Sequence, residues 1–99
     1  MAKYHLTNKA VEDLSNIWNY TCETWSEKQA DGYYTALLDF CNELAKKPKI
    51  GKKYDDVLLN LLGHKFNQHI IFYRLMSDKE IEIVRILHSR MDLKRRIRD

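Results

Sequence analysis

The sequence predicts an α+β fold in the order β-α-α-β-β-β, a helical hairpin packed on a small antiparallel sheet. Two observations carry this prediction. The first half holds two long runs with apolar residues three and four apart, and the second half holds β-branched and aromatic runs of strand length. The two helical runs are adjacent, so only one connection crosses between the halves.

Each element follows from local chemistry. Lys3 to Leu6 is a short strand with Tyr4 and Leu6 on one face. Thr7 or Asn8 then caps a helix whose stripe is Val11, Leu14, Ile17, Trp18, Thr21, Cys22 and Trp25. Ser26 with Gln29 forms a capping box and restarts the helix with almost no loop. The second stripe is Ala30, Tyr33, Tyr34, Leu37, Leu38, Cys41, Leu44 and Ala45. Lys46 and Lys47 suit a helix C-terminus, and Pro48 with Gly51 ends it.

The second half reads as a meander of three strands. Val57 to Leu62 is apolar, Gly63 interrupts it, and His64 to His69 alternates weakly around Phe66. Ile70 to Leu75 is aromatic and β-branched, Ser77-Asp78-Lys79 is a turn, and Ile81 to Leu87 is a strong strand. Strict alternation places Ile81, Ile83, Arg85 and Leu87 on one face, and Glu82, Val84, Ile86 and His88 on the other. A strand with apolar residues on both faces is central, and something other than the helices covers its second side. A short basic tail, read as helical, closes the chain.

The 99 residues fit one domain, residues 1–99, with 44% apolar and 11% aromatic content. No uncharged apolar run is long enough for a membrane span, and the first residues lack the apolar stretch of a signal peptide, so the expected compartment is the cytoplasm. Cys22 and Cys41 have neither disulfide-framework nor zinc spacing and read as small buried apolar residues. The net charge is +3. Residues 90–99 hold five basic and two acidic side chains, while the other 89 residues balance twelve against twelve. The excess therefore sits in the tail, where it suits an acidic partner or nucleic acid, or simply solubility.

Three chemistries are testable from residue types. His5, His64, His69 and His88 lack metal-site spacing, so no metal or other cofactor is expected. Cys22 and Cys41 lie on apolar stripes away from positive charge, where thiols are inert. RNA cleavage needs a proton donor, a proton acceptor and cations around the phosphate. Arg74, Arg85, His88 and Arg90, with Lys65, are the candidates for that role. The structural alternative is that Arg74 and Arg85 pair with Glu80, Glu82 or Asp92 and that His88 donates a structural hydrogen bond. No glycine-rich phosphate loop exists, since Gly32, Gly51 and Gly63 are far apart.

The stretch LTNKAVEDLSNIWNYTCETWSEKQADGYYTAL resembles the helical hairpin of ParE toxins, within the RelE/ParE superfamily. HIIFYR at 69–74 resembles the family's central strand, and EIVRILHSRMDL at 82–93 its closing motif. The resemblance implies a toxin of a bacterial type II toxin–antitoxin pair with a RelE/ParE-like fold. It further implies inhibition of DNA gyrase by binding, and neutralisation by a ParD-like antitoxin whose C-terminal segment wraps the toxin. The alternative it carries is a RelE-like endoribonuclease that cuts mRNA on the ribosome, although no tyrosine follows residue 73. On this reading an amphipathic antitoxin segment fills a groove with Trp25, Tyr33, Leu37 and Phe72 at its rim or floor. Arg90, Lys94, Arg95 and Arg96 reach the target from a strand end with few restraints. Neither a small-molecule substrate nor a membrane is expected.

Overall fold

The computed structural model describes residues 2–91 and 93–98, with the backbone alone for Leu93, Lys94 and Arg98. Strand β1 (Lys3–Leu6) leads into helix α1 (Asn8–Thr24), α2 (Glu27–Lys46) and a short 3-10 turn (Pro48–Ile50). Strands β2 (Lys52–Lys53), β3 (Leu62–Phe66), β4 (His69–Ser77) and β5 (Glu80–His88) follow, then helix α3 (Leu93–Arg98). Both predicted caps form. Thr7 Oγ1 accepts the Ala10 N–H at 3.1 Å, and Ser26 Oγ accepts the Gln29 N–H at 3.1 Å.

The sheet order is β1-β5-β4-β3-β2. Strands β2 to β5 are antiparallel, as the meander requires, but β1 joins β5 in parallel. The sheet is therefore mixed, and the last strand lies between the first and the fourth. The two-residue β2 was not anticipated. The apolar run at Val57 begins in turns, and β3 starts only at Leu62, carrying Gly63 within it.

The helices cover one face of the sheet. Leu14, Leu37, Cys41 and Leu44 meet Ile71, Tyr73, Ile81, Ile83 and Ile86 there, all essentially fully buried. On the opposite face, Tyr54, Val57, Leu61 and Ile97 cover Ile70, Phe72, Val84 and Leu87. The loop after β2 and the tail helix are thus the second cover. The tail is not the loosely restrained segment expected of it.

A register shift between β4 and β5 corrects the assignment of faces. Phe72 pairs with Arg85 but Tyr73 pairs with Ile83, so Val84 is an extra residue. Such a bulge reverses the alternation beyond it. Ile86 consequently joins Ile81 and Ile83 on the helix side, and Leu87 turns to the other face.

Cys41 is fully buried, and its thiol is pushed up to about 12 by burial. Cys22 is only half-buried, more open than its stripe position suggested, although its pKa is also raised, first by partial desolvation and then by Glu27. Both are free thiols that stay protonated near neutral pH. Among the described residues, no helix is long and apolar enough to cross a membrane.

Candidate functional site

The site grows out of the place where β1 ends. β1 borders β5 only as far as Leu6, paired with Ile83. Beyond it, side chains from the start of α1 take over the open edge. Thr7 Oγ1 donates to the Val84 carbonyl at 2.8 Å. Asp13 Oδ2 accepts the Ile86 N–H at 3.0 Å and the Arg85 Nε–H at 2.8 Å, while Oδ1 accepts from Arg85 Nη2 at 3.0 Å. A carboxylate gripped by both arms of a guanidinium is the strong form of this pair. Arg85 Nη1 also donates to the Arg96 carbonyl at 2.8 Å. One guanidinium therefore ties α1 to α3 around the edge of the sheet. Its pKa rises further above the ordinary arginine value, chiefly through the hydrogen bond to Asp13.

Two histidines continue the site. His69 and His88 face each other across β4 and β5, with ring centroids 5.5 Å apart and the planes edge to face. The Tyr33 hydroxyl on α2 lies 2.7 Å from His69 Nδ1. Burial, and then the proximity of His88, pull His69 down to about 4, with Asp13 pulling the other way. Burial raises the Tyr33 pKa as well. Both groups are neutral at pH 7, so a single proton bridges Tyr33 Oη and His69 Nδ1. His88 Nδ1 accepts the Arg90 N–H at 3.2 Å, which fixes its ring against the turn that follows β5.

These groups open into a cleft of about 450 Å³ between the second half of α1, the end of β5 and the turn into α3. Asn16, Tyr20, His69, His88, Met91 and Arg96 are among its walls, and Tyr20 is 68% exposed.

The predicted residues scatter around this cleft. Of the four candidates for RNA chemistry, Arg85 and His88 line it. Arg74 faces Glu82, with Nε and Nη2 at 2.7 and 2.6 Å from the same carboxylate oxygen. Lys65 is exposed on β3, and Arg90 is exposed in the turn. Arg85 does pair with a carboxylate, but with Asp13 and not with Glu80 or Glu82; Asp92 lies outside the described residues.

The four proposed groove residues do not share a surface. Trp25 is 69% exposed at the hairpin bend, and Tyr33 is committed to His69. Leu37 is fully buried under the helices, whereas Phe72 is fully buried on the opposite face. In the tail, Arg90, Arg95 and Arg96 are exposed, and the Lys94 side chain lies outside the described residues. Asp13, Tyr33 and His69 were not read as parts of one site. No spacing rule links residues on three separate elements.

Among the described residues, no group of three or more His, Cys, Asp or Glu side chains is placed to hold a metal ion. His5 pairs with Glu80, and His64 packs on Phe40.

The family profile for the ParE toxin of type II toxin–antitoxin systems matches residues 4–93. The chain belongs to the ParE toxin family. Toxin ParE1 of Mycobacterium tuberculosis is 31% identical over 97% of this chain and 98% of its own length. Toxin ParE of Escherichia coli is 30% identical, covering 100% of this chain and 96% of that protein. The ParE fold is seen also in the chromosomal ParDE toxin–antitoxin system of P. aeruginosa, with a TM-score of 0.75 and 19% identity over 89% of this chain and 96% of that one. A chain of the RelBE2 toxin–antitoxin complex of Mycobacterium tuberculosis matches with a TM-score of 0.67 and 18% identity, over 89% and 98% of the two chains. This ParE chain is accordingly a ParE-type toxin of a type II toxin–antitoxin system.

Proposed function

We propose that this toxin inhibits DNA gyrase by binding in the cytoplasm, and that a ParD-like antitoxin neutralises it. The observation that carries the binding reading is the engagement of Arg85. Its Nε and Nη2 are on Asp13 and its Nη1 is on the Arg96 carbonyl, so this cation, which lines the cleft with His88, is not presented to a phosphate. Arg74 is held by Glu82. A nuclease site needs free cations converging on the scissile phosphate, and these two arginines serve the fold instead. Target contact falls to the exposed tail, with Arg90, Lys94, Arg95 and Arg96 as the contacting residues. The antitoxin covers the exposed apolar side chains of the helical hairpin, with Trp25 as the main anchor. Tyr33, engaged with His69, and Leu37, buried between helices and sheet, stand apart from that surface.

The second reading, a ribosome-dependent mRNA endoribonuclease, is favoured by one observation. Tyr33, His69 and His88 form a chain of proton-handling groups at a cleft. One experiment separates the two. Purified toxin and its His88→Gln and Lys94→Gln/Arg95→Gln/Arg96→Gln variants are assayed for gyrase-driven supercoiling and for cutting of ribosome-bound mRNA. The binding reading expects inhibited supercoiling, relief by the tail variant and intact mRNA throughout. Cut mRNA that survives in wild type and falls by about 10²-fold or more with His88→Gln establishes the nuclease instead.

A further inference from the structure

The overall charge balance hides a sharp local segregation. Residues 1–45 hold three lysines against seven acidic side chains, whereas residues 46–53 hold five lysines and no acid. All five are exposed. Lys46 pairs with Glu43 at 3.5 Å and suits the end of α2. Among the described residues, Lys47, Lys49, Lys52 and Lys53 make no ion pair, and Lys52 only overlies the Tyr54 ring at 5.6 Å. The nearby acids are Asp78, which shares a pocket with Lys47 and Lys49, and Asp55, which shares one with Lys53. Four ammonium groups without an ion pair within seven residues repel one another, and a chain free to spread would spread them.

The backbone prevents that spreading. The hydroxyl of Tyr73, a fully buried residue, donates to the Pro48 carbonyl at 2.6 Å. Gly51 lies so close over the same ring that a Cβ there would overlap the Tyr73 hydroxyl. Lys52 and Lys53 are then fixed by pairing with Gly63 and Leu62 of β3. The fold thus fixes the backbone of the lysine run at the sheet edge, on a different element from the arginine tail. Lys52 and Lys53, as successive strand residues, lie on opposite faces of that edge.

We propose that this lysine surface binds the phosphate backbone of duplex DNA without reading sequence. Lysine ammonium groups are point charges, suited to phosphates but not to the bidentate recognition of bases. No exposed aromatic side chain lies in the run to stack on unpaired bases, which favours a duplex over a single strand. Its sole exposed apolar side chain, Ile50, is too little to insert into a lipid surface. The inference is independent of the gyrase reading, because the DNA contact needs no other protein.

The test measures fluorescence anisotropy of the purified toxin with a labelled duplex of about two helical turns, across a salt series. Four phosphate contacts predict a log–log salt slope of about −4. Lys47→Gln/Lys49→Gln/Lys52→Gln/Lys53→Gln should weaken binding by at least about tenfold at low salt and flatten the slope. The same four positions as arginine should restore both, and the melting transition should confirm that each variant is folded. The tail variant should keep the wild-type slope. The proposal is overturned if the wild type does not bind duplex DNA or if only the tail variant loses binding. It is equally overturned if equimolar phosphatidylcholine–phosphatidylserine vesicles or polyglutamate bind more tightly than DNA at the same ionic strength.

Discussion

The two halves of β5 solve the same problem in different ways. From Glu80 to Ile83 its outer edge is bordered by the backbone of β1, pair for pair. From Val84 onward the border is made of side chains, Thr7 and Asp13, with Arg85 folded back against the latter. A backbone border is indifferent to sequence, because any non-proline residue supplies the same groups. A side-chain border concentrates the task in two or three residues and leaves room beside them. The cleft, the histidine pair and the bulge all belong to the second half.

This contrast is most directly broken at Asp13. Asp13→Ala strands a mostly buried guanidinium and the Ile86 N–H together, and should cost about 3–5 kcal/mol in urea unfolding. A cost below about 1 kcal/mol would mean that the edge is not held by side chains at all. Next comes His69. Its folded-state pKa of about 4 lies below the ordinary 6.5, so the unfolded chain takes up the proton first. Stability should therefore fall as pH drops from 6.5 towards 4, by on the order of 2–3 kcal/mol, and level off below. His69→Asn should remove that part of the slope, measured as the difference between two urea series.

Thr7→Val sharpens the contrast at smaller scale. It removes the helix cap and the partner of the Val84 carbonyl, and should cost about 1–2 kcal/mol. The control belongs to the backbone-bordered half. His5 pairs with Glu80 at 2.7 Å on the surface, and His5→Ala should change stability by less than about 0.5 kcal/mol. A larger loss there than at Thr7 would erase the distinction between the halves.

The helical hairpin was legible because its determinants are local. Apolar spacing and the Thr7 and Ser26 caps act within a few residues, and they fixed α1 and α2 closely. The strands were legible as elements but not as faces. The extra residue at Val84 carries no signature of its own, and alternation read through it misplaces Ile86 and Leu87. At the site, Arg85 and His88 stood out through the closing motif. Asp13 did not, since an acidic residue beside a helix stripe looks like ordinary solvated surface. Its partner lies 72 residues away in the chain. Tyr33 and His69 were hidden differently, because a tyrosine on an apolar stripe packs in most helices and nothing in the sequence aims its hydroxyl.

The position of β5 between β1 and β4 has a consequence for how the molecule comes into being. Among the described strands, the one that completes the core comes last in the chain. Until residues 80–88 have left the ribosome, β1 has no neighbour, and Leu14, Leu37 and Leu44 face a sheet without its centre. Long-range pairing of this kind is slow to form and leaves apolar surface uncovered in the meantime. The nascent chain therefore passes through a stage in which apolar surface is uncovered, and it acquires its cleft, its histidine pair and its arginine clasp together, once β5 and α3 have emerged.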